Sequence, residues 1–260
     1  MIPISEMKTA TAKKRTDAEL WVDRFFARRV SIYLTWLLAQ TPLSANEVTL
    51  LSMLLMVGGA TCLGLKSAWG PPAGVLLMVV GYVLDCCDGE IARLRGQTSL
   101  RGVYLDTMAH AVTIPAMFIA AGIGLTFRNG TNLTTIIGAI AAIASTNPAK
   151  STMIMLKDAG KPPTPPPVSP AEPPSSKPML PGDTSGLKWL YLHTLGRLTI
   201  FPNSMFVLCA AVAVETVAFR GEAYGPIFWV VLFYALLLCS EQIAAAASWS
   251  REARLAREVQ

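Results

Sequence analysis

Charge is scarce in this chain: 15% of its 260 residues are Asp, Glu, Lys or Arg, while 52% are hydrophobic and the mean hydropathy is +0.45. Soluble domains carry about a quarter charged residues, so this balance argues against a water-exposed globule and for the bilayer as solvent. Cysteine and histidine are few. Cys62, Cys86, Cys87, Cys209 and Cys239 all fall in apolar stretches, with no CxxC pair and no His at zinc-ligand spacing. A disulfide framework and a structural zinc are therefore not expected. A single basic face is also lacking. The net charge is +5, but Lys and Arg sit at the ends of apolar segments, which speaks against nucleic acid as a partner. The first thirty residues contain Lys13, Lys14, Arg15, Arg28 and Arg29 but no apolar region ending at a small-residue cleavage site, so no cleaved signal peptide is expected. No internal repeat is visible, which gives no support to an inverted-repeat transporter.

What is abundant is apolar sequence in long runs. Near 47–68, 71–94, 101–127, 131–156, 199–219 and 225–248 the runs reach the roughly 20 residues needed for a transmembrane helix. Six spans put both termini on one side. With the N-terminus inside, only Lys66, Arg128 and Arg220 face out and every other basic residue lies inside, as the positive-inside rule requires. The chain thus reads as an all-α integral membrane protein of the cytoplasmic membrane, with both termini cytoplasmic. Its expected parts are an N-terminal segment (1–46), four helices (47–156), a linker (157–198), and two helices with a tail (199–260).

The apolar segment 31–43 is too short to cross a core about 30 Å thick, and Thr41-Pro42 interrupts it. Before it, Thr16-Asp17-Ala18-Glu19 has the form of a capping box. The helix it opens puts Trp21, Val22, Phe25 and Phe26 on one face, as expected of an interfacial helix on the cytoplasmic surface. A second capping box, Ser44-Ala45-Asn46-Glu47, starts the first span. Between 161 and 182 prolines are dense enough to exclude helix, leaving a cytoplasmic linker of polyproline II or irregular character.

The second span ends Leu84-Asp85-Cys86-Cys87-Asp88-Gly89-Glu90-Ile91-Ala92-Arg93, and the third begins Arg101-Gly102-Val103-Tyr104-Leu105-Asp106-Thr107-Met108-Ala109-His110. Ionisable residues at this density in apolar helices are costly to insert, so they point to function. At about 100° per residue, Asp85, Asp88 and Ala92 share one helix face, and Gly102, Asp106 and His110 share another. A short link lets the two faces meet. Three carboxylates brought together beside an imidazole repel one another unless a cation lies between them, and oxygen donors suit Mg²⁺ or Mn²⁺. Gly89, Ala92 and Gly102 leave room beside these ligands for a neighbouring helix or a flat ligand. Cys86 and Cys87 read as small packing residues, and Glu90 and Arg93 as an intrahelical pair.

Written as a pattern, these residues give D-x2-D-G-x2-A-R-x8-G-x3-D-x3-H. This resembles the signature of the CDP-alcohol phosphotransferases, D-x2-D-G-x2-A-R-x8-G-x3-D-x3-D, with His110 at the last aspartate position. The preceding Pro42, Asn46 and Thr49 fit the same family; the Pro-rich insert lies outside the resemblance. The resemblance implies transfer of a substituted phosphate from a CDP-linked donor, such as CDP-diacylglycerol, to an alcohol acceptor with release of CMP, as in phospholipid biosynthesis. It implies metal binding by Asp85, Asp88 and Asp106, with Asp88, Gly89, Ala92, Arg93 and Gly102 around the nucleotide or diphosphate. It also implies a metal-ligand or general-base role for His110, and a homodimer. Lys150 and Arg197 could neutralise an acceptor's phosphate or a lipid head group, or could be plain positive-inside flanks. His193 reads as a surface residue. Two other readings stay open: an ion or metal transporter that uses the same carboxylates, and a catalytically silent member because of His110.

Overall fold

The computed structural model describes residues 27–146, 203–218 and 224–258, the last fifteen by backbone alone. The proposed interfacial helix after Thr16, the Pro-rich linker, Lys150, His193 and Arg197 lie outside these residues. Among the described residues there are seven helices: α1 (Arg28–Leu38), α2 (Ala45–Leu63), α3 (Gly70–Leu94), α4 (Leu100–Asn129), α5 (Leu133–Ser145), α6 (Asn203–Ala218) and α7 (Pro226–Glu258). No strand occurs among the described residues.

Local sequence explains most helix ends. The second capping box forms as expected: Glu47 N–H donates to Ser44 Oγ at 3.3 Å, and Ser44 N–H donates to Glu47 Oε2 at 2.7 Å. Helix α3 ends in a Schellman turn. Gly96 takes a left-handed φ of 63°, and the N–H groups of Gly96 and Gln97 donate back to the Arg93 and Ala92 carbonyls. Ser99 then caps α4 by accepting from Gly102 N–H at 3.2 Å, so only 95–99 separate the two helices.

Three helices, α2, α4 and the 226–243 part of α7, are long and apolar enough to cross a membrane. At 25 residues α3 is also long, but Asp85, Asp88, Glu90 and Arg93 crowd its last turns. Of the fourth apolar run, 131–156, the described part forms α5 as far as Ser145, with Thr146 extended; 147–156 lie outside the described residues. Pro148 accounts for the stop, because its ring disfavours helical backbone at the residue before it and leaves the carbonyl four residues earlier without its N–H partner. Gln242 of α7 donates to the Ala144 carbonyl released there, at 3.0 Å. The described α5 and α6, of 13 and 16 residues, are shorter than a full span.

Small residues bring the helices close. A Cβ on Gly74 would lie 2.6 Å from the Gly59 carbonyl, so α2 and α3 touch backbone to backbone; Gly122 and Gly138 do the same for α4 and α5. The core is filled by Met56, Phe118, Met205 and Tyr234, with the Phe118 and Tyr234 rings 5.6 Å apart. Large apolar side chains also cover the outside, among them Leu54, Leu76, Ile143, Trp229 and Ile243. An apolar exterior around a polar cluster suits lipid rather than water.

Helix α2 packs along both α3 and α4, which approach each other less closely than either approaches α2. The two signature helices meet through long polar side chains across the space between them.

Candidate active site

Asp85 lies on α3 roughly 13 Å from its last residue at about 1.5 Å per residue, and Asp106 lies on α4 roughly 9 Å from its first. The turn at 95–99 folds these ends together. His110 Nε2 is 3.3 Å from Asp106 Oδ1, one helical turn back, and 3.6 Å from Asp85 Oδ2 across the gap. One donor atom from each of Asp85, Asp106 and His110 falls within 4.8 Å of the others. Two carboxylate oxygens and an imidazole nitrogen at this spacing form a donor set that fits a small divalent cation. The cluster opens on one side: the Asp85 side chain is 10% exposed and that of Asp106 is 47% exposed.

The structure thus gathers three of the four expected metal ligands. Asp88, the fourth, lies outside the cluster; it is buried and accepts from Thr49 Oγ1 of α2 at 2.5 Å. Thr49 itself is buried, and its hydroxyl is also 3.1 Å from the Ala45 carbonyl.

The residues expected around a nucleotide also have places. Arg93 folds back along its own helix, so that a Cβ on Gly89 would meet Arg93 Nη1 at 3.2 Å. Gly89 therefore makes room for that guanidinium. At Gly102 a Cβ would meet nothing tighter than Ser99 Oγ at 3.5 Å and Asn46 Oδ1 at 3.6 Å. Helix packing therefore does not demand glycine there. Ala92 sits in the last turns of α3, on the same helix as Gly89 and Arg93.

Glu90, read from the sequence as a partner for Arg93, has a different engagement. Its two oxygens accept from Ser31 Oγ at 2.8 Å and Thr35 Oγ1 at 2.7 Å, both on α1. Beyond the helix end, Arg95 donates to the carbonyls of Leu43 at 2.5 Å and Thr41 at 2.9 Å. Sequence reasoning missed these two contacts because their partners lie more than fifty residues away. The one available signal was the presence of two hydroxyl residues, four apart, in an apolar helix.

Residues 43–164 match the family model described as CDP-alcohol phosphatidyltransferase. A stretch of 97 residues is 38% identical to part of a protein of Rubrobacter xylanophilus named as a bifunctional IPC transferase and DIPP synthase. That stretch is 36% of this chain and spans 22% of the relative's length. Residues 43–164, which include both signature helices, are thus similar to the CDP-alcohol phosphatidyltransferase family.

Proposed function

We propose that this protein is a divalent-metal-dependent phosphotransferase of the inner leaflet, moving a substituted phosphate from a CDP-linked donor such as CDP-diacylglycerol to an alcohol acceptor. The observation that carries the reading is the convergence of Asp85, Asp106 and His110 at the mouth of two family-matched helices. In this reading six spans leave both termini in the cytoplasm, and the open Asp106 side of the cluster faces cytoplasmic nucleotide. A second copy of the chain completes the functional unit. The transferase name of the relative supports the same class of chemistry.

Asp85 and Asp106 would hold Mg²⁺ or Mn²⁺, with Asp88 a third carboxylate one turn from Asp85. Bound there, the ion would supply positive charge against the diphosphate and the departing CMP. Asp88, Gly89, Ala92, Arg93 and Gly102 would receive the nucleotide and diphosphate; the space left at Gly102 and the guanidinium of Arg93 favour this assignment. Lys150 and Arg197 would serve an acceptor phosphate or a head group. The acceptor oxygen attacks phosphorus, a new P–O bond forms, and the P–O bond to CMP breaks with its electron pair leaving on CMP. The hydroxyl proton passes to an unprotonated His110 Nε2, and the Asp106 and Asp85 carboxylates beside that atom would stabilise the imidazolium that forms. We assign the proton to His110 because carboxylates already provide the oxygen donors that Mg²⁺ and Mn²⁺ prefer.

The test is CMP release by the purified protein in detergent, with CDP-diacylglycerol or soluble CDP-alcohols and a panel of acceptors, alongside a Mn²⁺ titration. Release that EDTA abolishes and Asp106→Ala removes is the expected result. His110→Ala should keep Mn²⁺ affinity within a few-fold while lowering the rate by about 10²-fold or more. Loss of Mn²⁺ binding in that variant would instead make His110 a ligand. If no donor yields CMP while wild type binds Mn²⁺, transport through the carboxylates becomes the better reading. Activity that appears only in His110→Asp would mark a silent member.

A further inference from the structure

Glu90 occupies a variable position of the signature, points away from the Asp85 face, and is used by nothing in the proposed reaction. At about 100° per residue it lies roughly 140° round the helix from Asp85. It is nevertheless buried, and both of its oxygens are taken by hydroxyls of α1, from Ser31 and Thr35, which are each fully buried. Cys87 Sγ adds a contact to the Ser31 carbonyl at 3.5 Å. Just past the end of α3, Arg95 engages the Thr41, Leu43 and Ala39 carbonyls, so the C-terminal end of α3 grips α1 and the connection that follows it. Val48, Leu84, Cys87 and Ile91 form an apolar cluster beside this grip, with Leu34 and Leu38 of α1 packed on it.

The close glycine contact with α2 already limits the rotation of α3, but the apolar contact with α1 adds little to that, since the hydrophobic effect is non-directional. Two hydroxyl–carboxylate bonds on the α1 side fix that angle more finely near the site. The angle matters because α3 meets α4 across the site through side chains rather than close backbone packing. We infer that Glu90, held by Ser31 and Thr35, is a positioning residue that sets the rotation of α3 and thereby places Asp85 opposite Asp106 and His110. This rests on the phosphotransferase reading for its catalytic consequence but not for its geometric one.

The experiment uses full-length wild type, Glu90→Ala, Glu90→Gln and the double variant Ser31→Ala/Thr35→Val in detergent. Each is measured for Mn²⁺ affinity by the electron paramagnetic resonance signal of the free ion, and for kcat and KM of CMP release. Supporting contacts around metal ligands are typically worth about 10–100-fold. Glu90→Ala and the double variant should bind Mn²⁺ about tenfold more weakly and lose about tenfold or more in kcat, with the donor KM little changed and the folded fraction intact. Glu90→Gln should recover most of both, because an amide can accept from one hydroxyl and donate to the other. The inference is overturned if Glu90→Ala and the double variant match wild type in Mn²⁺ affinity and kcat. It is likewise overturned if losses only follow the folded fraction, or if Glu90→Gln fails as completely as Glu90→Ala. Wild type that binds Mn²⁺ but releases no CMP defeats the phosphotransferase reading alone, and the Mn²⁺ affinities then decide the role of Glu90. Wild type that does neither defeats both.

Discussion

At the scale of single residues, the chain keeps several polar groups buried by giving each a specific partner. Asp88 and Thr49 are one such pair. Replacing Thr49 with Val removes the donor from a buried carboxylate and should cost about 1–3 kcal/mol of stability, read by thermal unfolding in detergent. A second pair lies at the opposite ends of the helices. Arg128 of α4 is ion-paired with Glu215 of α6, whose other oxygen accepts from Ile227 N–H at the start of α7 at 2.8 Å. Three helices meet on this carboxylate. Arg128→Met should destabilise by about 2–3 kcal/mol, less than for a wholly buried pair because the Arg128 side chain is 33% exposed. The double variant Arg128→Met/Glu215→Leu should be milder than the sum of its parts, since it leaves no uncompensated charge. Such pairs were not legible in the sequence. Arg128 could be read only as a flank of its helix, and nothing local to Glu215 announces a partner 87 positions away.

At the scale of helices, legibility depended on whether the determining residues are neighbours in the chain. The convergence of Asp85, Asp106 and His110 followed from helical period and a short link, and the start of α2 followed from its capping box. The stop of α5 at Ser145 has its signal in Pro148, three residues further along the chain. The tightness of the α2–α3 contact was not visible, because a glycine in a membrane helix does not say which helix it faces. The structure supplies that: Gly59 and Gly74 face each other, and a Cβ on either would come within 2.7 Å of the other's carbonyl. Gly74→Val should therefore force the pair apart and lower stability by about 1–3 kcal/mol, with a loss of Mn²⁺ affinity if α3 is displaced. Gly96→Ala tests a different requirement, the left-handed backbone of the turn, and should cost about 1 kcal/mol without affecting packing, since nothing lies within 4 Å of its Cβ position.

For the whole molecule, the charge asymmetry makes a prediction that the helices alone do not. Ser67, between α2 and α3, and Gln97, between α3 and α4, are both exposed and should lie on opposite sides of the membrane. With the five native cysteines replaced by alanine, a membrane-impermeant thiol reagent added to intact cells should label Ser67→Cys and spare Gln97→Cys until the membrane is opened. Equal labelling of both would remove the N-in topology. The outward coat of Leu54, Leu76, Trp229 and Ile243 is the structural counterpart of the high apolar content, and that much of the architecture was readable from composition.

The packing of α2 against both α3 and α4 has a mechanical consequence. The two walls of the cleft are fastened to a common spine, so the width of the opening is governed by the stiffness of that spine and by the seams along it. A bend anywhere in α2 would be felt by both walls at once, as a change of aperture.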